Sequence, residues 1–350
     1  MDKLRSVRYP LSYIMSMTEA ITCRQLLDIC LLRPNMSDQT TLHIAMFPGF
    51  AMGHLTPFLH ISNKLAERGH KISFFVPLKT RSKLQHYNLH PHLITFVPLN
   101  VSHVHGLPPG TETKADIDLS LGSLLATAMD LTRTQIEQSL VKLKPDIVFF
   151  DISHWLPALL RGLGTNIKSV CYSVINPASV WCCLSLVLPI ENQLDEAFSI
   201  KLQTHEARAF DAMLNMEYGS EVTFSKRIVT SLSDCDAICL PSCREFAGPY
   251  SNYIEIQMKK PVILTGPMKP DPPSSQLVEK WARWLGGFEP RTVIFCALGT
   301  EYILTKLQLQ QLLLGLELTG LPFFAALISP TEVESIKLAL PEGFEERVKV

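Results

Sequence analysis

The stretch Leu42–Phe75 reads LHIAMFPGFAMGHLTPFLHISNKLAERGHKISFF, and its pattern of apolar and turn residues decides the fold. The apolar run Leu42–Phe47 has the length of a buried strand, and a turn rich in glycine and proline follows it. The spacing of apolar residues then predicts a helix over Leu55–Glu67, and the apolar run Lys71–Val76 predicts a second strand. This order forms a βαβ unit, in which the carboxyl ends of parallel strands gather ligands in a crevice.

His54 enters this crevice at the start of the predicted helix. The turn formed by Pro48, Gly49 and Gly53 delivers its imidazole there. Because the positive end of the helix dipole disfavours imidazolium, we expect His54 to remain a neutral base near pH 7. A histidine near a helix start is nevertheless more often a capping or packing residue, so the pattern alone leaves both interpretations open.

Apolar runs and helical patterns alternate along the chain up to Pro267. Helical patterns include Leu55–Glu67 and Leu119–Leu143. Alternation of this kind predicts an α/β fold with a doubly wound parallel sheet. The predicted strands are Leu42–Phe47, Lys71–Val76, Ile94–Pro98, Ile147–Phe150, Ser169–Tyr172, Ala237–Leu240 and Val262–Leu264.

Asp151 follows the apolar strand Ile147–Phe150, at the same edge of the predicted sheet as His54. A carboxylate in this place can accept the second imidazole N–H, fix the tautomer and stabilise the cation once His54 takes a proton. An aspartate that caps the next helix is about as common at such a position, and the pattern does not separate the two roles.

A second unit starts after the proline-rich segment that follows Pro267. It has a predicted strand Thr292–Leu298, a helix Lys306–Leu318 and a strand Pro322–Leu327. Gly299 and Thr300 follow its first strand, where a hydroxyl and backbone N–H groups suit a diphosphate oxygen. Many such turns carry glycine and threonine for geometry alone.

Composition excludes several classes of protein. Apolar residues make up 47% and charged residues 19% of the 350 residues, and the formal net charge is −1, with no block of Lys or Arg. Nucleic acid and anionic membrane surfaces are therefore not expected as main partners. No apolar run approaches the ~20 residues that span a bilayer, so stable membrane insertion is not expected. Nine scattered cysteines in a chain of this size indicate a reducing, cytoplasmic location.

Histidine pairs raise the alternative of a metal site. The H-x-H pairs His90/His92 and His103/His105 each place two imidazoles on one face of a strand, but no nearby carboxylates or cysteines complete a ligand set. Cysteines at every fourth position, Cys235, Cys239 and Cys243, cross a predicted strand, where this spacing does not put them on one face. We therefore expect no metal. The motifs of serine hydrolases, P-loop proteins and dinucleotide-binding proteins are also missing.

Several motifs, in order, resemble the plant UDP-dependent glycosyltransferases of family one. The segment PGFAMGHLTPFLHISNKLAERGH resembles the opening of these enzymes, and the resemblance covers residues 37–350. Within this family, the sequences of these motifs most resemble the branch that adds a sugar to the sugar of a flavonoid or anthocyanin glycoside. The further motifs are PDIVFFDISHW, HVHGLPPGTET, VILTGP, WLGGFEPRTVIFCALGTE and LPEGFEERVK.

The resemblance implies roles for individual residues. In this family the histidine of the G-H-x-x-P segment is the catalytic base, and the aspartate that ends a neighbouring strand is its partner; these positions are His54 and Asp151. Matching positions imply acceptor contacts for Gly53, Pro57 and His154. By the same comparison, Gly299 and Thr300 are expected to bind the donor.

The resemblance also implies an architecture and an activity. We expect two Rossmann-like domains of the GT-B type, the second incomplete, in a monomer. The implied reaction is inverting transfer of a sugar from a UDP-sugar, which is a co-substrate, to a hydroxyl group of a small glycoside, without a cofactor. The expected divisions are an extension at 1–36, non-native or disordered, an acceptor-binding domain at 37–267, a linker at 268–280 and a partial UDP-sugar-binding domain at 281–350.

Truncation leads to a separate expectation about activity. The family's donor-binding signature box should begin just after Lys349, so we expect the chain as given not to transfer sugar. Two alternatives stay open: a non-catalytic remnant that binds acceptor-like molecules, and a metal-dependent enzyme that uses the H-x-H pairs.

Overall fold

The computed structural model describes residues 41–189, 200–268, 277–299 and 303–348. The expected extension at 1–36 and most of the expected linker at 268–280 lie outside these residues. The chain divides into two compact units, the first ending at Pro270 and the second beginning at Asp271.

The described residues of the first unit form a sheet of seven parallel strands. Their bounds are β1 His43–Phe47, β2 Lys71–Pro77, β3 Ile94–Leu99, β4 Ile147–Phe150, β5 Lys168–Tyr172, β6 Ala237–Leu240 and β7 Val262–Leu264. The order in the sheet is β3-β2-β1-β4-β5-β6-β7, and every neighbouring pair is parallel. The order reverses between β1 and β4, which is where doubly wound sheets open a crevice. The predicted α/β class is confirmed.

Helices cover both faces of this sheet. Their bounds are α1 Met52–Ala66, α2 Arg81–Leu84, α3 Gly122–Asp130, α4 Arg133–Leu143, α5 Leu156–Gly162, α6 Pro177–Val187, α7 Thr204–Asn215, α8 Phe224–Asp234 and α9 Arg244–Met258.

Apolar side chains alternate between two buried layers, one on each face of the sheet. In β1, Ala45 and Phe47 belong to one cluster, and Ile44 and Met46 belong to the other. All four residues of β4 are likewise buried. A parallel sheet covered by helices on both faces buries both sides of its strands, which explains why these strands read as continuous apolar runs.

The predicted helix Leu119–Leu143 is wrong in one respect, because the structure breaks it into two helices, α3 and α4. The backbone N–H of Thr132 donates to the Met129 carbonyl at 3.0 Å, three residues back, and its hydroxyl donates to the same oxygen at 2.6 Å. A threonine hydroxyl that bonds to the preceding turn competes with the regular helical ladder, so the first helix ends here and the second starts at Arg133.

The second unit has two parallel strands with a helix between them. The strands are β8 Ile294–Ala297 and β9 Phe323–Ala326, and Ile294 pairs with Phe323. Leu309 and Leu313 of the connecting helix pack with Ala339 and Phe344. The helices of this unit are α10 Glu279–Leu285, α11 Lys306–Leu318, α12 Ile336–Ala339 and α13 Phe344–Arg347.

Two further findings concern the described part of the chain. There, no helix combines the length and apolar character that crossing a bilayer requires. The seven cysteines that this part contains are all free thiols. Burial raises the pKa of Cys183 to about 11 and the pKa of Cys235 to about 12.

Candidate active site at the carboxyl edge of the sheet

Neighbouring strands β1 and β4 bring two distant parts of the chain together. Phe47 pairs with Phe150, so the residues that follow the two strands emerge side by side at the carboxyl edge. The chain turns from β1 into α1, which presents His54 in its first turn, while Asp151 directly follows β4. The switch in strand order therefore places both predicted catalytic side chains at one point.

His54 and Asp151 form a close side-chain pair. The distance from His54 Nδ1 to Asp151 Oδ2 is 2.5 Å, and the side chains are 25% and 3% exposed. An ionised carboxylate accepts hydrogen bonds and does not donate them, so Nδ1 carries the hydrogen and Nε2 keeps a free lone pair. This is the tautomer that a histidine needs to accept a proton through Nε2.

Backbone donors hold the Asp151 carboxylate in place. The N–H of Gly49 donates to Oδ2 at 3.0 Å, and the N–H of Ile152 donates to Oδ1 at 2.5 Å. A buried carboxylate with a bond to each oxygen has one defined orientation. Asp151 is thus fixed from both sides before it meets His54, and the pair depends on the backbone of the turns after β1 and β4.

Gly49 packs closely against both side chains of the pair, a contact that the sequence does not reveal. A methyl group placed on its Cα would lie 3.2 Å from His54 Nδ1 and 3.3 Å from Asp151 Oδ2. The turn pattern singles out Gly49 as a turn residue, but its role here is to leave space for the pair. No residue with a side chain could occupy this position without moving His54 or Asp151.

The sequence predicts that Gly53 belongs to the turn before α1. In the structure α1 begins at Met52, so Gly53 lies within the first turn of the helix. The Ala51 carbonyl accepts the N–H groups of His54 and Leu55, both at 2.9 Å, which starts the helix early. This places His54 at the third helical position, close to the positive end of the helix dipole.

A small hollow lies beside His54 and opens to solvent, and its volume of about 20 Å³ is room for little more than one water molecule. Its lining is mostly apolar, with the aromatic residues Phe50 and Tyr218 and one cation from Lys114. The ammonium of Lys114 lies 5.9 Å from the centre of the Tyr218 ring. The full lining is Gly49, Phe50, Ala51, His54, Lys114, Leu125, Ala126, Met129, Ile152 and Tyr218.

Sequence reasoning missed most of this lining. Leu125, Ala126 and Met129 lie in a predicted helix, where their apolar spacing signals burial and does not signal a site. Tyr218 and Lys114 belong to segments without a chemical motif, and only the fold brings them to His54.

The predicted acceptor-contacting residues lie outside this lining. Gly53 is exposed, Pro57 is half-buried inside α1, and His154 is half-buried between β4 and α5. His154 Nδ1 is buried without a hydrogen-bond partner in the described structure. Burial, followed by the charge of Arg227, lowers the pKa of the His154 imidazole. Contacts of these three residues with an acceptor stay a prediction.

The predicted donor-contacting residues belong to the second unit. Gly299 follows β8 and has a backbone φ of +77°, in the region that favours glycine. Thr300 lies outside the described residues. A role for either residue in donor binding stays a prediction.

The histidine pairs do not form a metal site in the part of the chain that the structure describes. Within residues 41–189, 200–268, 277–299 and 303–348, no group of three or more potential ligand side chains comes together. His103 contacts the Leu107 carbonyl at 3.1 Å, and His90 lies 3.9 Å from a carboxylate oxygen of Glu67.

Curated proteins with similar sequences are plant glycosyltransferases. The chain is 50% identical over 321 residues to a cyanidin 3-O-galactoside 2″-O-xylosyltransferase of Actinidia chinensis var. chinensis, covering 88% of this chain and 70% of that protein. It is 48% identical over 325 residues to an anthocyanidin 3-O-glucoside 2″-O-glucosyltransferase of Ipomoea nil, covering 89% and 70%. No protein-family model matches the chain.

Solved structures with the same fold are also glycosyltransferases. An Arabidopsis thaliana enzyme in complex with UDP-L-rhamnose superposes with a TM-score of 0.67 at 20% identity, over 89% of this chain and 68% of that one. A Glycyrrhiza uralensis enzyme in complex with glycyrrhetinic acid 3-O-monoglucuronide gives a TM-score of 0.68 at 19% identity, over 88% and 67%. At this level of identity the likeness establishes the fold, which is of the GT-B type.

Proposed function

The chain belongs to the plant UDP-dependent glycosyltransferases of family one, and we propose that, when joined to the family's donor-binding segment, it transfers a sugar from a UDP-sugar to a sugar hydroxyl of a flavonoid or anthocyanin glycoside. The observation that carries the proposed mechanism is the pair formed by His54 and Asp151. Because Asp151 occupies Nδ1 at 2.5 Å, Nε2 is the ring nitrogen left to accept a proton.

In the proposed reaction, His54 acts as the general base. Its Nε2 takes the proton of the acceptor hydroxyl, and the oxygen attacks the anomeric carbon of the sugar from the face opposite the departing UDP. The new glycosidic bond forms as the bond to the diphosphate breaks, so the anomeric configuration inverts. Asp151 stabilises the imidazolium until the proton leaves. Gly299 and Thr300, which follow β8 in the chain, are proposed to contact the diphosphate through a backbone N–H and a hydroxyl group.

The proposed acceptor class rests on the similar proteins and on the hollow beside His54. The Actinidia and Ipomoea proteins are named for the addition of a xylose or a glucose to the sugar of an anthocyanin glycoside. The hollow is too small to enclose an aglycone, but its mostly apolar wall and the Tyr218 ring suit contact with an aromatic edge of the acceptor, beside the Lys114 ammonium. We propose that Gly53, Pro57 and His154 contribute further acceptor contacts.

The proposed activity needs the UDP-sugar as co-substrate and no further cofactor. Because the nucleophile, base and leaving group come from the two substrates and His54, the reaction requires no redox group. We further propose a monomer that works in the reducing cytosol, which suits the buried free thiols.

A transfer assay tests the proposal. We would incubate the purified chain with UDP-xylose, UDP-glucose and UDP-galactose, each with cyanidin 3-O-galactoside or cyanidin 3-O-glucoside, and identify products by mass spectrometry. A parallel assay would use a completed chimera, which continues after Val350 with the corresponding residues of the Actinidia protein. Products with a second sugar on the first, formed by the chimera and lost in its His54→Ala variant, would support the proposal. Sugar added to the aglycone, or no product from the chimera, would contradict it.

A further inference from the structure

Arg227 is fully buried, and its whole guanidinium group is used for hydrogen bonding. An arginine carries five N–H donors in a fixed planar fork. Its Nε donates to the Tyr218 carbonyl at 2.5 Å, and its other nitrogens reach the Gly219 carbonyl at 3.1 Å and the Ile152 carbonyl at 3.3 Å. The remaining two bonds go to the two carboxylate oxygens of Asp130. Every donor therefore has an acceptor.

Asp130 extends the network to two further segments. One of its oxygens accepts the indole N–H of Trp155 at 2.8 Å, and the other accepts the hydroxyl of Ser220 at 2.7 Å. The pair thus joins the end of α3, the start of α5, the turn at Gly219 and Ser220, and the first part of α8. The ends of α3 and α5 are distant in sequence from the turn and from α8, and this ion pair is one of the places where they meet.

Two of the carbonyls that Arg227 binds belong to walls of the hollow beside His54. Ile152 and Tyr218 both line the hollow. Ile152 is also the residue whose N–H donates to Asp151 Oδ1, at 2.5 Å. Arg227 therefore holds the carbonyl of the residue whose N–H orients Asp151, and Asp151 in turn holds His54.

Stability alone does not account for such a pair. Removing two charges from water costs several kcal/mol per ion, and apolar residues of similar volume are often as stable or more stable. Apolar residues cannot form directional hydrogen bonds. The five hydrogen bonds of Arg227 lie in the plane of its guanidinium group and fix the positions of three backbone carbonyls and one carboxylate at the same time.

We propose that Arg227, with Asp130, is a positioning residue that sets the orientation of the His54–Asp151 pair and of Tyr218 in the acceptor hollow. This inference rests on the proposed function of His54. Arg227 acts through the carbonyl of Ile152, which lies on the far side of the Ile152 Cα from the N–H that binds Asp151, and through the carbonyl of Tyr218.

The test measures the His54 ring directly and needs no transferase activity. In the full chain labelled with ¹⁵N-histidine, NMR reports which ring nitrogen carries the hydrogen and whether that hydrogen is in a short bond. His54→Gln assigns the signal among the eleven histidines. The wild type should show a strongly downfield Nδ1–H resonance. This readout is independent of sugar transfer, so a failure of the proposed function would leave it unchanged.

Two variants separate positioning from stability. Arg227→Met with Asp130→Leu removes both charges, which should preserve folding, and the downfield resonance should be lost or move upfield. Arg227→Lys keeps the ion pair but cannot reach Tyr218 and Ile152 at once, so it should weaken the resonance while the protein stays folded. A folded variant of either kind with the wild-type signal would overturn the proposal, as would unfolding of both, since the role would then be structural.

The matched control is Arg161→Met. Arg161 also binds α8, through the carbonyl of Asp234 at 3.1 Å and its carboxylate at 3.2 Å, but it lies at the other end of that helix. Its loss should leave the His54 resonance at its wild-type position. A change of the same size in this variant would mean that any loosening of α8 disturbs the pair, and the specific role of Arg227 would be lost.

Discussion

Two glycines lie near predicted functional residues, one after β1 beside the predicted catalytic pair and one after β8 among the predicted donor contacts. The structure favours glycine at the two positions for different reasons. Gly49 follows β1, and a methyl group there would press on His54 and Asp151 at 3.2–3.4 Å. Gly299 follows β8 with a φ of +77°, and no atom of the described residues lies within 4 Å of where its Cβ would be. Gly49 is required for space and Gly299 for backbone conformation. A glycine in a sequence motif can thus be needed either because neighbouring side chains leave no space for a Cβ or because its backbone has a positive φ. Of these two glycines, Gly49 alone bears on the geometry of the His54–Asp151 pair.

The largest effect should come from the base at the crowded site. In the completed chimera, His54→Ala should lower turnover by roughly 10²–10⁴-fold, the usual contribution of general-base catalysis. Steady-state kinetics against the acceptor measures this, with acceptor binding little changed. His60→Ala, on the same helix, is the control and should keep near-normal turnover. Turnover near wild type in the His54 variant would remove this histidine from the mechanism.

Asp151→Asn should have the next largest effect. The amide keeps the shape of the side chain but loses the charge that stabilises imidazolium, so we expect a loss of turnover of about 10²-fold with normal folding. Kinetics and thermal melting would be measured together. Asp146→Asn is the control, because Asp146 lies at the opposite end of β4 and accepts a backbone N–H at 2.8 Å. If the Asp151 variant fails to fold, its role is structural.

Gly49→Ala tests the close approach itself. The added methyl group has to push His54 or Asp151 aside, so we expect a clear fall in turnover and a destabilisation of about 1–3 kcal/mol, typical of an overpacked site. Chemical denaturation and kinetics measure the two effects. Gly53→Ala is the matched control for folding, since nothing lies within 4 Å of its Cβ and alanine favours helices. Equal tolerance of both substitutions would show that Gly49 is not sterically required.

Gly299→Ala should have the smallest effect. Within the part of the chain that the structure describes, no neighbouring atom opposes the new methyl group, so we expect only the penalty of the left-handed backbone conformation, about 1–2 kcal/mol. Denaturation of the chain measures this change. A destabilisation as large as that of Gly49→Ala would mean that side chains do crowd this position, and the contrast between the two glycines would disappear.

Much of the fold could be predicted from apolar pattern. The strands Ile147–Phe150, Ala237–Leu240 and Val262–Leu264 and the helix Lys306–Leu318 have the predicted bounds. Strands buried on both faces give uninterrupted apolar runs, and such runs have clear ends. The break between α3 and α4 was not predictable in this way, because it depends on one hydroxyl, that of Thr132, and leaves the apolar spacing on both sides intact.

The candidate site could be predicted only in part. His54 and Asp151 stand at strand ends, so the rule that parallel strands meet at one edge was sufficient to bring them together. Their catalytic roles stay a prediction. Neither Tyr218 nor Arg227 stands at the end of a strand, so this rule does not find them. The sequence pattern of an amphipathic helix predicts that an arginine such as Arg227 is exposed to solvent, whereas the structure buries Arg227 completely. Backbone carbonyls, which no sequence pattern encodes, determine its place.

The pairing of β1 with β4 determines where the chain can gain or lose residues without separating His54 from Asp151. His54 and Asp151 are 97 positions apart in the chain, yet their separation in space is set by the ladder that aligns Phe47 with Phe150. Insertions or deletions in the surface loops between the two strands would leave that alignment intact. A single residue inserted within β4 would turn Asp151, which directly follows this strand, to the opposite face of the sheet and separate the pair. The loops are therefore free to diverge in length among descendants of this gene, whereas the strands can change only by substitution.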